Sequence, residues 1–271
     1  MGFKTGAFLN LPMLEPKQFK PELEKCSKAG ISLVGVMIDY PNGPANAADW
    51  LPELKRSLKS MKMKTVVHAP FTGFNLMALS PDHREASVRG IKASIDIARE
   101  LDSNIVTIHA GETNKFSERG NLAKKALKDS MQSLIDYASL SGIRLSVENM
   151  PVKQGFSKSY PSTIEEAEEI LSKFKGLEFC IDIGHFRKSG INVYEAAKRL
   201  AGRSNCVHLH DSTSTEDHLV IGKGSIDFGR VFSALTVGGF KGAVLIEVPD
   251  ADGCVESLGS LSRNNIKEIG F

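Results

Sequence analysis

The 271-residue chain is short of most features that announce a class. It has one tryptophan and four cysteines. Cys26, Cys180, Cys206 and Cys254 are far apart and form no CxxC pair, which excludes zinc-ribbon and thioredoxin-type motifs on spacing alone. In a chain of this size they read as reduced core residues, and a cytoplasmic protein is expected. No apolar run approaches the roughly 18–20 residues of a membrane span, and Met1-Gly2-Phe3-Lys4-Thr5 does not open a signal peptide. No GxGxxG or P-loop follows an apolar run, so no nucleotide site is expected. Neither charge sign dominates. The net charge of +2 and the pI of about 8.3 carry no nucleic-acid argument without a clustered basic face. Low-complexity segments, linkers and shifts of composition are also missing, so one domain over residues 1–271 is expected.

What is present is an alternation of short apolar runs with amphipathic ones. The strand candidates are Phe3–Phe8, Ile31–Ile38, Lys64–His68, Asn104–His109, Ile143–Asn149, Glu178–Ile183, Cys206–His210 and Ala243–Val248. They are rarely interrupted by polar residues, as in a parallel sheet covered on both faces. Between them, Val88, Ile91, Ile95, Ala98 and Leu101 recur at helical spacing, as do Ala123, Leu127, Met131, Leu134 and Ala138. Ser80-Pro81 reads as a helix start. Eight strand–helix units of about 34 residues each predict an α/β protein with a (β/α)8 TIM barrel.

The stretch "CIDIGH", residues 180–185, breaks the apolar pattern. It sets a carboxylate and an imidazole at the end of a buried strand, where they are costly unless compensated. Five other strand candidates end the same way. His68, His109, Glu148, Asp182, His208 and Glu247 close the third to eighth strands in order. Barrel strand ends converge on one mouth. Three carboxylates and three imidazoles crowded there repel and desolvate one another, and divalent cations resolve both problems. A lone strand-end His or Asp is usually structural or a helix cap, but six at equivalent positions point to a metal centre. His210, two residues after His208 on the same face, is expected to contact substrate or to support the ligands. Cys180 and Cys206 read as small core residues, not sulfur ligands.

The segments "VVHAPFTGFNL", "VTIHAG", "SVENMP", "CIDIGH", "VHLHDS", "EDHLVIGKGSIDF" and "LIEV" are spread over most of the chain. Together they resemble the xylose isomerase-like barrel superfamily, which holds sugar isomerases and epimerases and also endonuclease IV. The resemblance implies that Glu148, Asp182, His208 and Glu247 bind one metal ion, with Glu148 and Glu247 as the catalytic carboxylates. It implies a second ion at His68, His109 and Glu148. A third falls to His185, His218 and Glu216, with Asp217 adjacent as a substitute for Glu216. One to three ions are expected, zinc first, with manganese, cobalt or magnesium as alternatives.

Two activities follow from the resemblance. One is a metal-dependent isomerase or epimerase of a sugar or sugar phosphate, acting through a metal-stabilised enediolate. The other is an endonuclease IV-like zinc phosphodiesterase acting on abasic DNA. The early loop "LNLPMLEPKQF" offers one Lys and no Arg, which counts against a duplex as partner. The expected partner is therefore a small molecule, with no membrane contact, and a homo-oligomer remains open. In "GKGS", residues 222–225, Lys223 is a candidate substrate-phosphate contact. The alternative there is a plain turn before a helix capped by Ser225 or Asp227.

Overall fold

A β-branched run is buried on both faces only if helices cover it. The computed structural model of the chain arranges eight such runs around one axis. It describes residues 3–114, 117–153, 155–263 and 269–270. The strands are β1 (Phe3–Asn10), β2 (Leu33–Met37), β3 (Lys64–His68), β4 (Ile105–Ile108), β5 (Arg144–Glu148), β6 (Leu177–Asp182), β7 (Ser204–Leu209) and β8 (Ala243–Ile246). Each pairs in parallel with the next, and β8 returns to β1 with Ile246 opposite Ala7. The sheet is thus closed, the (β/α)8 barrel that the sequence predicts. The helices are α1 (Pro16–Lys28), α2 (Ala47–Ser60), α3 (Pro81–Glu100), α4 (Ser117–Leu140), α5 (Ile164–Lys173), α6 (Ile183–Lys188), α7 (Val193–Leu200), α8 (Phe228–Val237) and α9 (Ala251–Arg263). None of the described helices is long and apolar enough to cross a membrane.

The periodic residues do what their spacing requires. On α3, Ile91, Ile95 and Ala98 are buried, and the Ser80 hydroxyl accepts from the His83 N–H at the helix start. On α4, Ala123, Leu127, Met131, Leu134 and Ala138 are buried. Most strand ends differ by one or two residues from the sequence reading, and two features depart from it more tellingly. The sixth strand stops at Asp182, and Ile183 opens α6, because the Asp182 carboxylate accepts the His185 N–H at 2.6 Å and caps that helix. A short antiparallel pair, Glu112–Asn114 with Ser157–Ser159, ties the loop after β4 to the loop after β5. Three-residue strands carry too little periodicity to be read from sequence.

The barrel has its own interior, separate from the layer between sheet and helices. Phe8, Met37, Val66, Ile105, Cys180, Cys206, Ala243 and Leu245 pack there, and the Thr107 and Ser146 hydroxyls pair at 3.2 Å. Side chains alternate along a strand, so residues two further on face the same way. Two residues beyond Val66, Thr107, Ser146, Cys180, Cys206 and Leu245 stand His68, His109, Glu148, Asp182, His208 and Glu247. The period-2 rule alone therefore aims all six into the mouth. Each large apolar side chain contributes about 1.5–3 kcal/mol on burial, and this core supports a polar cluster whose own burial is unfavourable.

Candidate metal centre

Register brings the donors together. Asp182 and His208 are direct partners across β6 and β7, and Glu148 lies opposite Cys180 across β5 and β6. Six of the seven histidines gather at the mouth. Among the described residues, donor atoms of Glu148, Asp182, His208 and Glu247 all lie within 4.8 Å of one another, as do those of His68, His109 and Glu148, and those of His185, His210 and His218. Cys180, Cys206 and His208 form a further buried trio at the floor.

Glu148 is the hub. Its Oε2 lies 3.0 Å from His68 Nε2 and 3.4 Å from His109 Nε2. Its Oε1 lies 3.3 Å from His208 Nδ1 and 3.5 Å from His185 Nδ1. Burial opposes its charge, but the His208 imidazole and hydrogen bonds from the surrounding rings hold the carboxyl well below the usual carboxylate range. Glu247 is depressed in the same way against burial, chiefly by His208. Burial alone disfavours a charged His208, and its thiol and carboxylate neighbours raise it well above an ordinary histidine. For His109 burial wins, and its pKa is lowered.

Hydrogen bonds at the far side of each ring fix how it can be used. His68 Nδ1 lies 2.7 Å from the Ala69 carbonyl, and a carbonyl can only accept. The ring donates there and, when neutral, presents a bare Nε2 to the cluster, the arrangement of a metal-ligating histidine. His185 Nδ1 donates to the Asn149 carbonyl at 3.0 Å in the same manner. His210 has the opposite tautomer. Its Nδ1 accepts the His218 N–H at 2.8 Å, so its Nε2–H donates to Asp182 at 3.1 Å. Both its nitrogens are engaged.

The donor set fits a divalent cation. His208 Nδ1, His208 Nε2 and Glu247 Oε2 are buried and lack hydrogen-bond partners. Such orphaned buried atoms are rare in a folded interior, and mixed imidazole and carboxylate donors suit zinc and its neighbours.

The candidates separate by position. A cavity of about 370 Å³ opens on the centre, lined by Phe8, Asn10, Met13, Met37, His68, Phe71, His109, Glu148, Met150, His185, His218, Glu247, Val248 and Pro249. Asp182, His208 and His210 are fully buried beneath it. The substrate contact expected for His210 is therefore not what its position offers; it braces Asp182 and stacks on His218, with ring centroids 4.1 Å apart. Lys223 does not reach the cavity either. It is exposed and pairs with Glu256 at 3.2 Å, while Asp227 caps α8. Glu216 is exposed, and the neighbouring Asp217 is the carboxylate set against His218, at 3.4 Å.

Sequence reasoning passed over two positioning residues. The Asn149 side chain donates to the Asp182 carbonyl and accepts from the Asp182 N–H, both at 2.9 Å. The buried Asp211 carboxylate accepts from the N–H groups of Ser212, Gly222 and Ile226. It thereby ties down the loop that carries His218, whose φ of 54° is in the left-handed region. A Cβ on Gly224 would sit 2.3 Å from the Asp211 carboxylate, and one on Gly184 would sit 2.0 Å from the His210 ring. The glycines of "GKGS" and "CIDIGH" include positions emptied for these groups. The one available signal was proximity in sequence, Asn149 beside Glu148 and Asp211 beside His210.

Residues 23–267 match the family described as xylose isomerase-like TIM barrel. An uncharacterized Methanocaldococcus jannaschii protein, MJ1311, is 32% identical over 72% of this chain and 68% of its own. A probable endonuclease 4 of Persephonella marina is 23% identical over 60% of this chain and 61% of its own. Among solved structures, a D-tagatose 3-epimerase-like protein superposes with a TM-score of 0.83 over 98% of each chain at 24% identity. With its closed parallel barrel and strand-end donor cluster, the chain belongs to the xylose isomerase-like TIM barrel family.

Proposed function

We propose that the protein is a divalent-metal-dependent isomerase or epimerase that moves a proton at the carbon beside the carbonyl of a sugar-like substrate. The observation that carries this reading is the four-residue group of Glu148, Asp182, His208 and Glu247, two of whose carboxylates also line the cavity. Those four residues would hold the cation. When bound, it supplies Lewis-acid polarisation of a carbonyl and compensates the clustered carboxylates. Glu148 and Glu247 come from β5 and β8, three strands apart in the closed sheet. A carbon seated between them meets a proton acceptor on either side. Proton removal by one, followed by delivery to the opposite face of a proton that the other has first drawn from solvent, inverts that carbon, while return of the removed proton at the adjacent carbon isomerises the substrate. The fold shared with an epimerase-like protein supports the reading.

One observation favours a second reading, a zinc phosphodiesterase acting on abasic DNA. Three donor groups converge in a single mouth, and one relative is a probable endonuclease 4. Against it, no Lys or Arg is among the described residues that line the cavity, whereas DNA affinity rests largely on phosphate neutralisation.

Deuterium wash-in at the carbon beside the carbonyl, followed by NMR in D2O across a panel of ketoses, tests the proposal. Exchange is expected with the metal-loaded protein. Glu148→Gln and Glu247→Gln each lower it by on the order of a thousandfold or more, and His83→Ala, at the exposed start of α3, leaves it unchanged. Nicking of an abasic duplex with no exchange in any ketose transfers the assignment to the second reading.

A further inference from the structure

The lining of the cavity bears on which substrate it takes. Besides the imidazoles and carboxylates of the candidate metal centre, it is formed mainly by apolar side chains, among them Met13, Met37, Phe71, Met150, Val248 and Pro249. Among the described lining residues there is no Ser, Thr, Tyr, Gln, Lys or Arg, and Asn10 is the one polar side chain outside the donor groups. Two of these apolar residues also reach the surface, Met13 at 70% and Phe71 at 37% exposure. Phe71 also stacks on His109, with centroids 5.1 Å apart, which joins the apolar wall to the reactive end.

A ketohexose seated with its carbonyl and neighbouring hydroxyl at the metal centre still carries several hydroxyls at its far end. A buried hydroxyl without a partner is unfavourable, and Asn10 serves one or two of them at most. A phosphate at that end fares worse. Among the described residues, four lysines that follow strand ends are already paired: Lys153 with Glu112, Lys158 with Glu166, Lys188 with Asp217 and Lys223 with Glu256.

Resting on the isomerase or epimerase reading above, we infer that the substrate is an α-hydroxycarbonyl compound with an uncharged, apolar far end, a terminally deoxygenated sugar in preference to a parent ketohexose or a sugar phosphate. The polar head meets the centre of Glu148 and Glu247. The methyl end lies along Met37, Met150 and Val248 towards Met13.

The test uses the metal-loaded protein and three forms of each ketohexose that differ only at carbon six, as the hydroxyl, the deoxy and the phosphate compound. Deuterium exchange beside the carbonyl is the readout. The deoxy form is expected to exceed its parent in kcat/KM by on the order of tenfold to a hundredfold, the discrimination an apolar pocket achieves against an added hydroxyl. The phosphate is expected to fall below the parent. Met13→Gln, at an exposed rim position that tolerates substitution, is expected to shrink the deoxy preference severalfold. Exchange in which the parent or the phosphate equals or exceeds the deoxy form overturns this inference and leaves the isomerase reading standing. Absence of exchange in every compound overturns both.

Discussion

His208 Nδ1 lies 2.8 Å from Glu247 Oε2, and neither atom makes a hydrogen bond. Two buried polar atoms this close, without the geometry to bond each other, are what a shared cation would satisfy. Left alone, each costs about 1–3 kcal/mol. His208→Ala is therefore expected to lose one divalent ion per chain, measured by elemental analysis after dialysis, while His210→Ala keeps it. Stripping the native protein with a chelator should lower Tm by roughly 5 °C, the scale expected when a bound ligand present at about a hundred times its Kd is removed. An unchanged ion content in His208→Ala would refute the ligand assignment.

The second prediction concerns protons. Burial works against a charged His218, but the carboxylates of Asp217, at 3.4 Å, and Glu247, at 3.7 Å, outweigh it and raise the ring from 6.5 to about 10. In the metal-free chain, charged His218 favours the folded state fully below its unfolded value of 6.5, and this contribution is lost as pH rises through about 10. A cation taken up at His185 and His218 must expel that proton. Binding should release protons across pH 7–9 and tighten with pH. Calorimetric titration in buffers of different ionisation enthalpy reads the release directly, and zero release over that range would sink the prediction.

The six strand-end donors were legible because an unpaired charge inside an apolar run stands out against it, and because the period of two fixes which way it points. Legibility ends where a residue acts through the backbone of a distant one. Asn149 matters through the peptide groups of Asp182, 33 positions away, and Asp211 through the N–H groups of Gly222 and Ile226. Nothing in local sequence announces such bonds. Glu216 and Asp217 differ only in how a loop turns, and that turn is set by the pairing of Asp211 with Leu219. The length and charge of Lys223 invited a phosphate role, and only the position of Glu256 on α9 shows the ammonium already neutralised.

Asn149 provides the third prediction. Its amide closes two hydrogen bonds on the Asp182 peptide inside the protein, while its own carbonyl orients His185. Asn149→Ala keeps that carbonyl but frees the Asp182 peptide. Two buried hydrogen bonds at about 0.5–1.5 kcal/mol each predict a stability loss of about 1–3 kcal/mol. Misplacing a ligand through its support weakens metal binding by about 10- to 100-fold. Denaturant unfolding of the metal-free protein and competition with a chelating dye measure the two effects separately. Native affinity in a destabilised variant would reduce Asn149 to a fold residue.

Asp217 and Glu216 give the last. Asp217 Oδ1 lies 3.4 Å from His218 Nδ1, and its Oδ2 lies 2.8 Å from Lys188 Nζ. The contact with His218 is the largest influence on its carboxyl, which is held far below the usual range. Glu216 points to solvent and has no such neighbour among the described residues. If Asp217 sustains the raised His218, then Asp217→Asn should bring the His218 titration down from about 10 towards 6.5, by more than one pH unit in the NMR shift of the ring in metal-free protein. Glu216→Gln should leave it in place. The two substitutions remove the same charge from adjacent positions on one loop, so a general field effect would move His218 alike in both. Only a directed contact separates them, and equal shifts would return Glu216 to contention as the carboxylate of the third donor group.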